Sequence, residues 1–250
     1  TPAPYPLPYR ALYSKNVENL FFAGRNISAT HFAMSSTRVM MTCALFGQAV
    51  GAAATIAVTN GLTPHGVYKE QLAALQQTLL EEDCFLPGLQ REISAACREA
   101  ELLGGSDALR DGQDRAHAMY GGVGCGCRVK NGEPVTYRLT GPAFVKAAHL
   151  VFDSDLNRES LPGDEMEQSH PTRCSTLLDS PQMHMPSPLC RSFTLTAETD
   201  EGSLELLKVS DNCRRSYDVP VGSVVRSLTL IPESNWGGEE ETPVFSFDFR

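Results

Sequence analysis

Three side chains able to carry positive charge, Arg25, His31 and Arg38, fall within one short stretch of this chain. They lie between an apolar run, Leu20-Phe21-Phe22-Ala23, and a longer run of small and apolar residues that reaches Val58. A helix N-terminus presents unpaired N–H groups and a partial positive charge. Two arginines and a histidine feeding such a terminus make a seat for an anion or a polarised carbonyl. Histidine adds a second possibility, because its ordinary pKa lies near 6.5 and it can give or take a proton near neutrality.

The elements that would hold these groups follow from spacing. The apolar run 20–23 has the length of a strand, and Gly24 breaks it. A polar loop runs from Arg25 to about Ser36. Ser35, Ser36 and Thr37 are all good N-cap residues, so a helix is expected from about Thr37 to Val58. Within it, Ala44, Gly47, Gly51 and Ala54 recur at three, four and three, which places small residues on one face. Each helix-interior glycine costs about 1 kcal/mol against alanine. That cost is best explained where a sheet, another helix or a flat ligand approaches the backbone. The alternative is a packed strand–helix unit with solvated arginines.

The words NLFFAGRNISATHFAMSSTRVMMTCALFGQAVGAAA, with Pro8-Tyr9-Arg10-Ala11-Leu12-Tyr13 and Lys15-Asn16-Val17-Glu18-Asn19-Leu20 before them, resemble the C-terminal segment of the bacterial FAD-dependent oxidoreductases of the glutathione-reductase-like superfamily. The likeness spans roughly residues 5–85 and holds at many positions in order. It implies a flavin site. Gly24 and Arg25 would end a strand beside the ribityl-diphosphate part of FAD. Ser28, Thr30 and His31 would run along the isoalloxazine. Arg38 and the amides of Val39, Met40 and Met41 would face its pyrimidine edge, with Gly47 on the close-approach face. His31 and Arg38 are the candidate catalytic residues. Positive charge there would stabilise reduced flavin, and hydride transfer from an unknown small-molecule substrate is the implied reaction.

Composition bounds the rest. The chain has 250 residues, 42% hydrophobic and 20% charged, as in an ordinary globular protein. A formal net charge of −9 argues against a nucleic-acid partner. The apolar run Leu45–Val58 is too short and glycine-rich to read as a membrane span. The chain opens mid-motif without a methionine or a signal peptide, which points to a fragment whose missing N-terminal part is itself a partner. A G-x-G-x-x-G opening a helix is absent, and Gly121-Gly122-Val123-Gly124-Cys125-Gly126 opens none. The ADP half of FAD is therefore expected to be held elsewhere, and the fragment alone to be inactive. Eight cysteines occur at irregular spacing without a CxxC pair. Free thiols in a reducing cytoplasm are expected, with no metal; Cys125-Gly126-Cys127 is the one close pair.

Downstream, Asn60-Gly61 stops the long helix and Thr63-Pro64 starts another. Tyr68, Leu72, Leu75 and Leu79 predict an amphipathic helix of about four turns, ending near Asp83. Residues 1–18, with Pro2, Pro4, Pro6 and Pro8, read as an extended segment; the resemblance to the FAD-dependent oxidoreductases implies that Tyr9 and Arg10 line the substrate side there, and the alternative is an extended connector with an incidental arginine. From about Leu89 the pattern becomes that of strands: Val135–Leu139, Val145–Phe152, Ser192–Glu198, Ser203–Val209, Val224–Ile231 and Pro243–Phe249, with Leu161–Leu189 a long excursion.

The fold class expected is an α/β fragment of an FAD-binding domain, residues 1–88, followed by an all-β antiparallel sandwich, residues 92–250. The second part resembles the galactose-binding or discoidin-like jelly rolls, through Leu109–Arg115, Val145–Asp153 and Asn235-Trp236-Gly237. That resemblance implies either a structural, oligomer-forming appendage or a carbohydrate-binding or adhesion module. Trp236 is the single tryptophan such a module would offer a sugar.

Overall fold

The computed structural model describes residues 4–115, 125–156 and 184–250. Gly121–Gly124 of the glycine-rich run, Cys174 and residues 161–183 of the expected excursion lie outside the described residues. The chain divides into two compact units, Thr1–Glu92 and Ile93–Arg250.

The first unit is helical. Its elements are α1 (His31–Thr37), α2 (Met40–Asn60), α3 (Pro64–Glu70) and α4 (Leu72–Glu81). The local signals at residues 60–66 act as read. Gly61 closes α2 in the left-handed region at φ 64°, and the Thr63 hydroxyl caps α3 by accepting from the Gly66 N–H at 3.0 Å. Three expectations change. The single helix of four turns is two helices, broken at Gln71 (φ −131°, ψ 16°). Residues Tyr9–Leu12 form a 3-10 turn inside the expected extended connector. The run 20–23 makes one isolated bridge, Tyr13 to Phe21, rather than a strand. A strand needs a run of hydrogen bonds to a neighbour, and here Phe22 N–H donates to Leu12 O and Ser14 N–H to Leu20 O. The core gathers Tyr9, Leu12, Ile27, Phe46, Ala53, Ala57, Val67, Leu75 and Leu79.

The second unit is an antiparallel β-sandwich opened by a short helix, α5 (Ala95–Glu99). Its strands are β1 (Glu101–Leu103), β2 (Cys127–Lys130), β3 (Val135–Phe152), β4 (Cys190–Thr199), β5 (Gly202–Val209), β6 (Ser216–Asn235) and β7 (Glu241–Phe249). The order is β2-β7-β3-β6-β4-β5, with β1 beside β3. Two predicted strands, Val135–Leu139 and Val145–Phe152, are one long β3. Its register against β6 shifts between Arg138 and Ala143, so Thr140-Gly141-Pro142 is an irregularity within a strand and not a turn. β3 also changes its second neighbour. Residues 136–138 pair with β1, and residues 148–152 pair with β7. Residues 147–152 of β3 are consequently all buried, whereas β4 alternates as a one-sided strand should.

Aromatic packing centres this core. Tyr137 lies 5.0 Å from Phe247 and 5.5 Å from Phe249 between ring centroids. Phe152 and Phe193 are 4.9 Å apart. Strands β1 and β2 and helix α5 carried too little periodicity to be read from sequence.

Candidate functional site

The stretch 24–47 is placed by three anchors. Ile27 is buried, and the next residue's N–H donates to Ala11 O at 2.9 Å, which fixes the loop to the 3-10 turn. Thr30 caps α1, its hydroxyl accepting from the Ala33 N–H at 3.3 Å. Thr37, 2% exposed, donates its hydroxyl to Ala33 O at 3.2 Å and closes the helix.

The loop expected to reach Ser36 is thus partly helical. Ser35, Ser36 and Thr37 lie inside α1 and do not cap the long helix. Its N-cap is Val39, which has no side chain to offer, so the first turn of α2 has no side-chain cap. Arg38 forms the joint between the two helices at φ −87°, ψ 2°, with its N–H donating to Met34 O at 3.2 Å.

The sequence-predicted residues of this stretch lie at the surface. Arg25, Ser28, Thr30, His31, Arg38, Val39, Met40 and Met41 are exposed. Gly24 is half-buried and takes φ +109°, which L side chains rarely adopt. The stretch thus exposes both basic and apolar side chains: Phe32 is 91% exposed, Met40 87% and Met41 79%. The apolar character continues along α2. Met40, Ala44, Gly47, Gly51, Thr55 and Val58 follow one another at helical spacing on its outer face, none of them buried. The opposite face buries Phe46, Ala53 and Ala57. A Cβ built on Gly47 or Gly51 meets nothing within 4 Å. By length and composition α2 is the one helix among the described residues that is long and apolar enough to cross a membrane.

Other candidates fall elsewhere. Tyr9, expected on a substrate side, is 9% exposed, and its hydroxyl donates to Pro64 O at 3.0 Å. Burial, with Tyr13 adding to it, pushes its phenol well above the usual range. The seven described cysteines are free thiols, and no group of three metal-ligating side chains is found among the described residues.

In the β unit, the Leu109–Arg115 segment builds structure. Leu109 is fully buried. The Arg110 guanidinium donates to Cys97 O at 2.6 Å and Ala100 O at 2.8 Å, and so finishes α5. The Gln113 N–H donates to Asp111 Oδ1 at 2.7 Å. Trp236 donates its indole N–H to Asn212 O at 2.7 Å, and Arg191 covers its ring at 4.8 Å. Asn212 also joins Cys190 O, Arg214 and the Tyr217 hydroxyl. The tryptophan is part of this bonded cluster.

Residues 1–79 match the family model described as FAD dependent oxidoreductase. No curated protein matches the chain. Among solved structures the chain is similar to the family 32 carbohydrate-binding module of Streptococcus pneumoniae EndoD, at 10% identity and TM-score 0.36 over 59% of this chain and 86% of that one. It is similar to the second such module of a family 31 glycoside hydrolase, solved bound to GalNAc, at 8% identity and TM-score 0.38 over 63% and 96%. A module of a Clostridium perfringens family 89 hydrolase, in complex with GlcNAc-α-1,4-galactose, is similar at 12% identity and TM-score 0.33 over 60% and 89%.

Proposed function

We propose that the helical unit is the C-terminal, flavin-contacting part of an FAD-dependent oxidoreductase, completed by an ADP-binding part of the same protein. The match of residues 1–79 to the FAD dependent oxidoreductase family carries this reading. Two features of the chain support it. The outer face of α2 is apolar and uncovered, whereas a helix apolar all round is ordinarily buried. The first turn of α2 lacks a side-chain cap and sits beside exposed Arg38, in keeping with a polar, electron-rich ring edge at that turn.

The donor set fits FAD. Exposed Met40 and Met41 offer apolar contact for a flat ring, their N–H groups offer donors, and Arg25, His31 and Arg38 offer charge. FAD, when bound, would supply the hydride acceptor. Arg38 would hold negative charge at the ring edge, Thr30 would position His31 through the α1 cap, and His31 would hold or release a proton at a ring nitrogen. We read the β unit as a packing module, since the Trp236 ring is committed to Asn212 and Arg191.

The test is the protein expressed from its complete reading frame and refolded with excess FAD. Bound flavin absorbance is expected, and its absence overturns the reading. In that protein Arg38→Ala is expected to weaken stabilisation of reduced flavin by about 1–3 kcal/mol, the range for a charged hydrogen bond, seen as a lower reduction potential or rate. An unchanged potential and rate would remove Arg38 from this role.

A further inference from the structure

The helical unit also contains a closed ring of four aromatic side chains outside the flavin-facing stretch. Tyr9 and Tyr13 come from the 3-10 turn and the residue after it, and His65 and Tyr68 come from α3. Neighbouring centroids are 5.4 Å apart for Tyr9–Tyr13, 5.9 Å for Tyr13–His65, 6.2 Å for His65–Tyr68 and 6.4 Å for Tyr68–Tyr9. The Arg10 guanidinium lies 5.7 Å from the Tyr68 ring centroid. Residues 52 apart in the chain are thus joined, since Tyr13 Oη is 3.1 Å from His65 Nδ1.

That contact is chemically distinct. The hydroxyls of Tyr9, Tyr5, Tyr137 and Tyr217 bond to Pro64 O, Ser36 Oγ, Phe247 O and Asn212 Oδ1. Each of those acceptors is a poor base. Among the described tyrosines only Tyr13 hydrogen-bonds an imidazole. With the ring proton on Nε2, Nδ1 accepts from the phenol. Burial raises the Tyr13 phenol above its ordinary value, with Tyr68 adding to the shift and Arg10 opposing it, so Tyr13 is neutral near pH 7. A neutral phenol loses an electron readily only when a bonded base takes its proton in the same event.

We propose that Tyr13 and His65 form a proton-coupled redox pair that gives up one electron to a strong one-electron oxidant. In the step, Tyr13 loses an electron to the oxidant and its O–H bond breaks. The proton moves to His65 Nδ1, leaving a neutral tyrosyl radical beside an imidazolium and a reduced oxidant. The oxidising equivalent then rests on a half-buried phenol within the ring of aromatics.

The inference does not rest on the flavin reading, because it is tested on the 250-residue chain without flavin. The oxidant is a photo-oxidised ruthenium polypyridyl complex with persulfate as the sacrificial acceptor. Wild type is expected to form the neutral tyrosyl radical, seen by transient absorbance and electron paramagnetic resonance, in a fast phase with a solvent deuterium isotope effect. That phase is expected to disappear in Tyr13→Phe, which keeps the ring and its packing. In His65→Gln it should slow and lose its isotope effect, while Tyr217→Phe should leave it intact. Site-specific 3-fluorotyrosine at position 13, which leaves the fold undisturbed, should change the hyperfine pattern of the trapped radical. A fast phase that persists in Tyr13→Phe, an unchanged rate and isotope effect in His65→Gln, or an unaltered hyperfine pattern with the fluorinated residue would each overturn the proposal.

Discussion

Replacing Gly51 by alanine separates a covered α2 face from an open one. A helix-interior glycine is less favourable than alanine by about 1 kcal/mol, through backbone entropy and backbone exposure. A Cβ built at Gly51 meets nothing within 4 Å, so no steric cost offsets this gain. In the 250-residue chain Gly51→Ala should therefore stabilise the helical unit by about 1 kcal/mol. For a unit of this size that corresponds to a rise of roughly 4–8 °C in its unfolding midpoint. Where the same face is covered, a larger side chain meets a neighbour, and overpacking costs about 1–3 kcal/mol. Gly51→Leu in the protein from the complete reading frame should then lower both stability and flavin content, while Thr59→Leu near the exposed end of α2 does neither. Circular dichroism at the helical minimum follows the chain, and flavin absorbance follows the longer protein. Destabilisation of the 250-residue chain by Gly51→Ala would refute the claim that this face is open. A gain from Gly51→Leu in both proteins would refute the claim that anything covers it.

Other outcomes follow from the β unit. Gly126 takes φ +66°, and an added Cβ would collide with the Val244 carbonyl, so Gly126→Ala should destabilise the unit by about 1–3 kcal/mol in urea unfolding. Asn212→Ala removes a 1% exposed amide that bonds Cys190 O, Arg214 and Tyr217; a loss of about 2–4 kcal/mol is expected, checked by the urea midpoint. Burial pushes the thiols of Cys97 up to about 11 and of Cys190 and Cys125 up to about 12, from an ordinary 9.0. A raised thiol pKa favours folding below the unfolded value and loses that stability as pH rises through the folded one. The midpoint of the β unit should therefore fall between about pH 9 and 12, and a flat profile there would contradict the burial of these thiols. Exposed Cys213 should react first among the described cysteines with a thiol reagent at mild alkaline pH, as mass spectrometry of the labelled peptides would show.

What the sequence determined by itself is what local chemistry decides. Asn60-Gly61 and Thr63-Pro64 act within a few residues of chain, so the stop of α2 and the start of α3 were legible at their positions. The strands β4, β5 and β7 were legible because each alternates or is bounded by glycine turns. Tertiary structure decided whatever depends on a partner distant in sequence. Residues 20–23 have strand composition, but a strand exists only where another backbone lies alongside, and Phe21 finds a single bridge. The two halves of β3 became one strand because β6 runs beside both, and no local signal carries that pairing. α2 carries no charged residue and no polar stripe to mark its outside, so only the packing at Phe46, Ala53 and Ala57 shows which face is covered. The Tyr13–His65 contact is of the same kind: it exists because the 3-10 turn packs on α3, and that closure lies in no motif.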